Sequence, residues 1–334
     1  MNHTTWTQLL PFIFILFIVV CFAVLMGTDV ISLQSMTSQM PPSLLEMNTI
    51  FLSIFIEAVP FVLIGVLIAG FIQMFISEDH VEKWMPKNRV AAVFMSCVIG
   101  ACFPACECGI VPIVRKLVSK GVPIYAGVGF LLTGPLINPI VIFSTYMAFG
   151  NDLKIAALRM GVGFAAALII ALLVSLFFKK NQLKGQTGTM EIHEHTQPAS
   201  FFKRIWHMLG HAIDEFFDMG KYLIIGAFFA AFVQTYVAAQ TLLQAGEGWV
   251  SSTLVMMGLA YLLSLCSEAD AFIGASFRNL FPTSSILAFL IYGPMIDLKN
   301  TVMLVSVFQL KFVFSLIFFI TLTVFACTSA LVWL

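Results

Sequence analysis

Two cysteines flank a carboxylate in the run Phe103-Pro104-Ala105-Cys106-Glu107-Cys108-Gly109-Ile110-Val111-Pro112. Thiolates are soft ligands, and two of them within one turn of a carboxylate suit Zn(II), Cu(I) or a trivalent metalloid better than Na⁺ or Mg²⁺. Pro104, Pro112 and Gly109 disfavour a continuous helix here, so the stretch is expected to be non-helical or kinked. A second run, Leu265-Cys266-Ser267-Glu268-Ala269-Asp270, keeps one thiol and adds a carboxylate. Ionisable groups in apolar segments are costly and mark function by default. On that ground Glu57, Asp218, Glu107, Asp270, Glu268 and the polar pair Asn138 and Asp297 join Cys106, Cys108 and Cys266 as candidates for substrate binding. Some of them could instead cap half-helices or pair with Arg159, Lys221 and Lys311. His193-Glu194-His195 offers a further metal-binding motif, and His207 and His211 lie one helical turn apart near Asp214. Solvated loop histidines explain these four equally well. Cys21, Cys97 and Cys327 read as small apolar side chains.

The elements that must carry these residues are membrane spans. Of 334 residues 60% are hydrophobic and only 10% charged, and the mean hydropathy is +0.99. A polar surface cannot be made from such a composition, which excludes a soluble enzyme and a disordered chain. The formal net charge is zero with no basic tail, so nucleic acid is not an expected partner. The fold class is all-α, a polytopic helical membrane protein of eight or nine spans in the lipid bilayer of the cell membrane. A span needs about 20 apolar residues. The candidates are 9–27, 50–76, 90–114, 122–149, 155–178, 213–239, 250–276, a short segment 284–296, and 301–332. The run from Leu9 to Met26 lacks a basic leader and a small-residue cleavage site, and reads as a retained span. Trp6, Trp84, Trp206, Trp249 and Trp333 fall at span ends, as an interfacial belt does. The polar stretch 179–211 is expected to be cytoplasmic by its lysines and arginines, with Glu247 outside.

The halves repeat. Glu57 to Gly65 lies over Asp218 to Gly226, Glu107 and Arg115 lie over Asp270 and Arg278, and Gly134-Pro135-Leu136-Ile137-Asn138 lies over Gly293-Pro294-Met295-Ile296-Asp297. The expected organisation is an extra span (1–28), a first repeat (45–180), a linker (181–210) and a second repeat (211–334). Four segments per half imply parallel repeats about an axis along the membrane normal, with broken helices meeting at the midplane.

The chain resembles the predicted-permease family of the YraQ/YcgR type, which includes the organoarsenical efflux permease ArsP. The resemblance is carried by Pro104-x-Cys106-x-Cys108-x-x-x-Pro112, Gly134-Pro135-x-x-Asn138-Pro139 and Cys266-Ser267-Glu268-Ala269-Asp270 followed by Gly293-Pro294. It implies a plasma-membrane permease of two related halves. Members commonly have Ser between the two thiols, and Glu107 in its place favours a cation over a neutral organoarsenical. The resemblance also implies a branch linked with a second, smaller membrane subunit and with metal homeostasis.

The reading is therefore a non-enzymatic permease for a thiophilic metal or metalloid species, with no cofactor other than that transported ion. The alternatives are a membrane scaffold or subunit of a two-component complex, or a permease that works through protons and carboxylates alone. Assembly as a homo-oligomer is a further expectation. No Walker motif and no His-Glu-x-x-His occurs.

Overall fold

A computed structural model describes residues 41–103, 106–178, 180–184, 201–236 and 248–331. The span 9–27, Cys21, Pro104, His193, His195 and Glu247 lie outside them. The described residues form thirteen helices and no strand beyond one isolated bridge, Leu183 to Phe308. They are α1 (Pro42–Phe75), α2 (Glu78–Trp84), α3 (Arg89–Ala101), α4 (Glu107–Ser119), α5 (Ile124–Thr133), α6 (Pro139–Ala148) and α7 (Leu153–Phe177). After the linker come α8 (Phe201–Tyr236), α9 (Trp249–Leu263), α10 (Ser267–Ser276), α11 (Thr283–Met295), α12 (Leu298–Val307) and α13 (Leu310–Ala330). The molecule is a polytopic helical membrane protein. Apart from α2, one order occurs twice: a long helix, two interrupted helices, a long helix.

The interruptions are short and have local causes. Helix α4 restarts at Glu107, so its break is narrower than the expected 103–112, and α10 starts at Ser267. Pro112 sits inside α4, where its missing N–H costs one intrahelical bond without ending the helix. The α5–α6 break spans 134–138, and Asn138 caps α6 by accepting from Val141 N, with Pro139 at the first position. Gly293-Pro294 falls inside the last turn of α11, and the break follows at 296–297. Asp297 there caps α12 by accepting from Asn300 N. The segment expected as a lone short span, 284–296, is thus the first half of a full crossing, Thr283–Val307. The last span begins at Leu310, not at 301.

The contacts fix which helices cross. At a first face, Arg89 at the start of α3 donates to the carbonyl of Ser175 at the end of α7. The same pocket is lined by Val118 and Gly121 at the end of α4 and by Ile124 at the start of α5. Helices α3 and α4 therefore enter and leave on one side. Each has 13 residues and is about 20 Å long, too short for a ~30 Å hydrocarbon core. They form a re-entrant hairpin. At the opposite face, Trp249 at the start of α9 stacks on Phe325 near the end of α13, and Arg278 after α10 bonds the carbonyl of Phe149 and pairs with Asp152 before α7. Helices α9 and α10 are a second hairpin, entering from that opposite face.

Each half thus has three crossings and one hairpin. The first comprises α1, α5–α6 and α7; the second comprises α8, α11–α12 and α13. An odd number of crossings inverts the second copy, so the halves run in opposite senses and the expected parallel arrangement is corrected. Helix α1 accordingly lies antiparallel to α8, with Gly70 near Met208 and Ala212, and Ile54 clustered with Ala227 and Ala230. The core is built on α5 and α11, the first arms of the crossing broken helices, which are buried almost all round.

Loop charges agree with this topology. Lys83, Lys87, Arg89, Arg115, Lys116, Lys120, Lys180, Lys184 and Lys311 belong to the first face, and Lys154 and Arg278 to the other. Lys299 is not a loop charge: it is buried in the interior. Cysteines placed at Gly121 and Asn181 are expected to label from one face, the cytoplasm by the positive-inside rule. Cysteines at Asn151 and Leu280 should label from the other. Labelling of Gly121 and Leu280 from the same side of sealed cells would overturn the inverted arrangement.

Candidate functional site

The inner ends of the hairpins and of the broken spans meet at mid-depth, so four helices, α4, α6, α10 and α12, begin inside the molecule. A helix start is the positive end of the macrodipole and presents unpaired N–H groups. The sequence meets each with an oxygen or sulfur. Cys106 precedes α4 and Glu107 is its first residue, Cys266 Sγ accepts from Ala269 N at 3.4 Å, and Asn138 and Asp297 cap the other two.

Lys299, in the first turn of α12, is the hub. Its Nζ lies 3.0 Å from Glu107 Oε1 and 3.4 Å from Asp297 Oδ2, and donates to the Ser264 carbonyl at 3.1 Å. Ser264 holds a left-handed backbone (φ 46) at the tip of the second hairpin. Its Oγ accepts from Leu298 N and Lys299 N. One ammonium thus ties both hairpins to the α11–α12 break. Glu107 and Lys299 are almost wholly buried, the setting in which removing one partner of an ion pair is most damaging.

Beside this hub lies a small cavity of about 10 Å³, room for roughly one water, lined by Glu57, Cys106, Glu107, Cys108, Cys266 and Lys299 together with Ile54, Ala58 and Phe61. Next to the cavity the α1 and α4 backbones come into close contact. A Cβ on Gly65 would lie 2.2 Å from the Gly109 carbonyl oxygen, and one on Gly109 would lie 2.6 Å from that of Phe61. Only glycine allows α1 and α4 to approach so nearly.

A second polar group sits where α10 meets α6 and α7. Arg159 donates to Thr145 Oγ1 at 2.7 Å and to the Ser267 carbonyl at 3.0 Å. Asp270 is fully buried.

The structure gathers Glu57, Cys106, Glu107, Cys108 and Cys266 around one cavity, with Asp297 reaching it through Lys299. Asp270 belongs to the second group, with Arg159, and Asn138 stays at the start of α6 as its cap. Glu268 is half-buried beside it. Asp218 is not brought to the centre: it faces outward and pairs with Lys221 at 2.8 Å. The helix starts also change the register between halves. Glu107 and Ser267 both open their helices, whereas Asp270 is fourth in α10 and corresponds to Ile110 in α4, not to Glu107. Among the described residues no three His, Cys, Asp or Glu side chains are placed to hold one metal ion. Sequence reasoning missed Lys299. The signal was an Asp-x-Lys two residues after Gly293-Pro294, at the start of a helix whose counterpart carries Ile140.

Residues 43–332 match the ArsP_1 predicted permease family. The chain belongs to that family. It is 53% identical over 293 residues to the UPF0718 protein YcgR of Bacillus subtilis, covering 87% of this chain and 98% of that one. It is 41% identical over 276 residues to a protein of Streptococcus mutans named a putative two-component membrane permease complex subunit, covering 83% and 91%. No solved structure matches.

Replacing Lys299 with Met should strand two buried carboxylates and lower the stability of the purified protein by about 3–5 kcal/mol. Adding Glu107→Gln should restore part of that loss. A thermal-melting double-mutant cycle measures the coupling, and additive losses would show that the pair does not interact.

Proposed function

We propose that this member of a membrane-permease family moves a thiophilic metal or metalloid species along the cavity between the two hairpins. Cys106, Cys108 and Cys266 would be its ligands and Glu57 and Glu107 counter-charges. The observation that carries this reading is the arrival of three thiols, from both inverted halves, at one cavity. Two of them, Cys106 and Cys266, precede helices whose positive ends point at them, the polarity that favours a thiolate ligand. Bringing all three onto one ion requires the hairpin tips to draw together. In an inverted pair of hairpins, that motion is also one that would shift access from one face to the other.

A second reading, that the chain works only with a smaller membrane subunit, is favoured by the name of the Streptococcus mutans relative. Transport that appears only on co-expression with a neighbouring small membrane protein would support it.

The test is uptake or export in cells carrying single variants, over a panel of Zn, Co, Cu, As and Sb. Cys106→Ser, Cys108→Ser and Cys266→Ser should each reduce transport at least about tenfold, as loss of a soft ligand does, with membrane insertion unchanged. Cys327→Ser, half-buried on α13 away from the cavity, should transport normally. If the thiol variants are active while Glu107→Gln is dead, the site is a carboxylate site and the soft-metal reading is wrong.

A further inference from the structure

Asp270 has no place in the thiol chemistry, yet it is the most isolated polar group among the described residues. It is 0% exposed, and neither of its carboxyl oxygens has a hydrogen-bond partner there. Oδ2 packs against the backbone of α11, where a Cβ on Gly293 would lie 2.7 Å from it. The inverted halves supply a control for this slot. In the first half, a Cβ on Gly134 would lie 2.3 Å from Ile110 Cδ1. Ile110 is thus the counterpart of Asp270, and a fully apolar side chain fills the same kind of space.

The charges around Asp270 come from few elements. Helices α6, α9 and α11 contain no charged residue; their titratable side chains are tyrosines, of which Tyr261 and Tyr292 bond Thr301 and Thr321. Arg159 faces it from α7, Glu107 from α4, and Lys299 and Asp297 from α12 and its cap; Glu268 and Cys266 lie on its own helix and cap. Lys299 is taken by Glu107 and Asp297. Arg159 is bonded to neutral oxygens, and its Nε has no partner among the described residues. Among the described residues, three buried carboxyl groups therefore face two buried cations, and the excess falls on Asp270. An ionised carboxylate with no donor in an apolar slot is far more costly than a neutral carboxyl.

We propose that Asp270 is the proton-binding residue of this permease. In the conformation described, its carboxyl carries the proton. On release, the O–H bond breaks, the proton passes to water, and the carboxylate left behind takes the free Arg159 Nε–H as its donor. That pairing pulls the second hairpin toward α7. The hairpin carries Cys266, so proton release and movement of the cavity wall are one event. This inference rests on the chain being a membrane permease, and not on the identity of its substrate.

The experiment uses the full-length protein in nanodiscs without added substrate and records infrared spectra as pH is varied. Wild type should show a neutral-carboxyl stretching band at neutral pH. Asp270→Asn should lose that band, whereas Glu107→Gln and Asp297→Asn should keep it. Asn mimics the protonated acid, so the variant should fold; if it does not, ¹³C-aspartate labelling of the Asp297→Asn protein makes the same assignment by isotope shift. Absence of the band, or its survival in Asp270→Asn, overturns the proposal. Sodium-dependent thermal stabilisation at constant pH that Asp270→Asn abolishes would also overturn it, by making Asp270 a metal-cation site. Normal transport by the three Cys→Ser variants with the band intact would refute the substrate reading alone.

Discussion

An α-helix that begins in the middle of a bilayer leaves N–H groups without intrahelical partners at a depth where water cannot take them. Among the described residues, four helices begin that way. Such backbone is tolerated only inside protein or against a polar cavity, so the breaks have to meet, and they have to meet in the interior. The caps at Asn138 and Asp297, the thiol acceptor at Cys266 and the first-turn Glu107 all answer this one requirement. Lys299 answers the next one, since two carboxylates drawn toward helix starts cannot stay buried without a cation.

The same constraint explains why α1 and α4 meet at glycines beside the cavity. Gly65 and Gly109 bring the α1 backbone onto the start of α4, which leaves the thiols and carboxylates facing inward with room for about one water. A site this tight, held by one ammonium, is suited to two packings more than to gradual widening. The halves differ where chemistry requires it. Glu107 corresponds to Ser267, Lys299 to Ile140, and Ile110 to Asp270, so the ion pairs form on one side of the pseudo-symmetry and the lone carboxyl sits on the other.

Much of this was legible in the residues. Composition alone required a helical membrane protein. The two Cys-containing runs marked the places where helices break. The duplication was legible too, because Gly-Pro-x-x-Asn and Gly-Pro-x-x-Asp place a capping residue at the same step of each half. Hydropathy could not say whether a broken apolar run crosses or turns back. A hairpin of two 13-residue helices and a kinked span have the same composition, and they differ only in where their ends pack. The inverted sense of the halves followed from Arg89 on Ser175 and from Arg278 on Phe149, contacts 86 and 129 residues apart in the chain.

The sequence by itself therefore determined the solvent this protein lives in, the positions of its helix breaks and the residue types available at them. Tertiary structure alone decided which of those residues meet. It carried Asp218 to the outer surface, buried Lys299 and placed Asp270 in an apolar slot. The physical reason is that burial depends on what packs against a side chain from other helices. Periodicity and hydropathy report only the helix a residue is on.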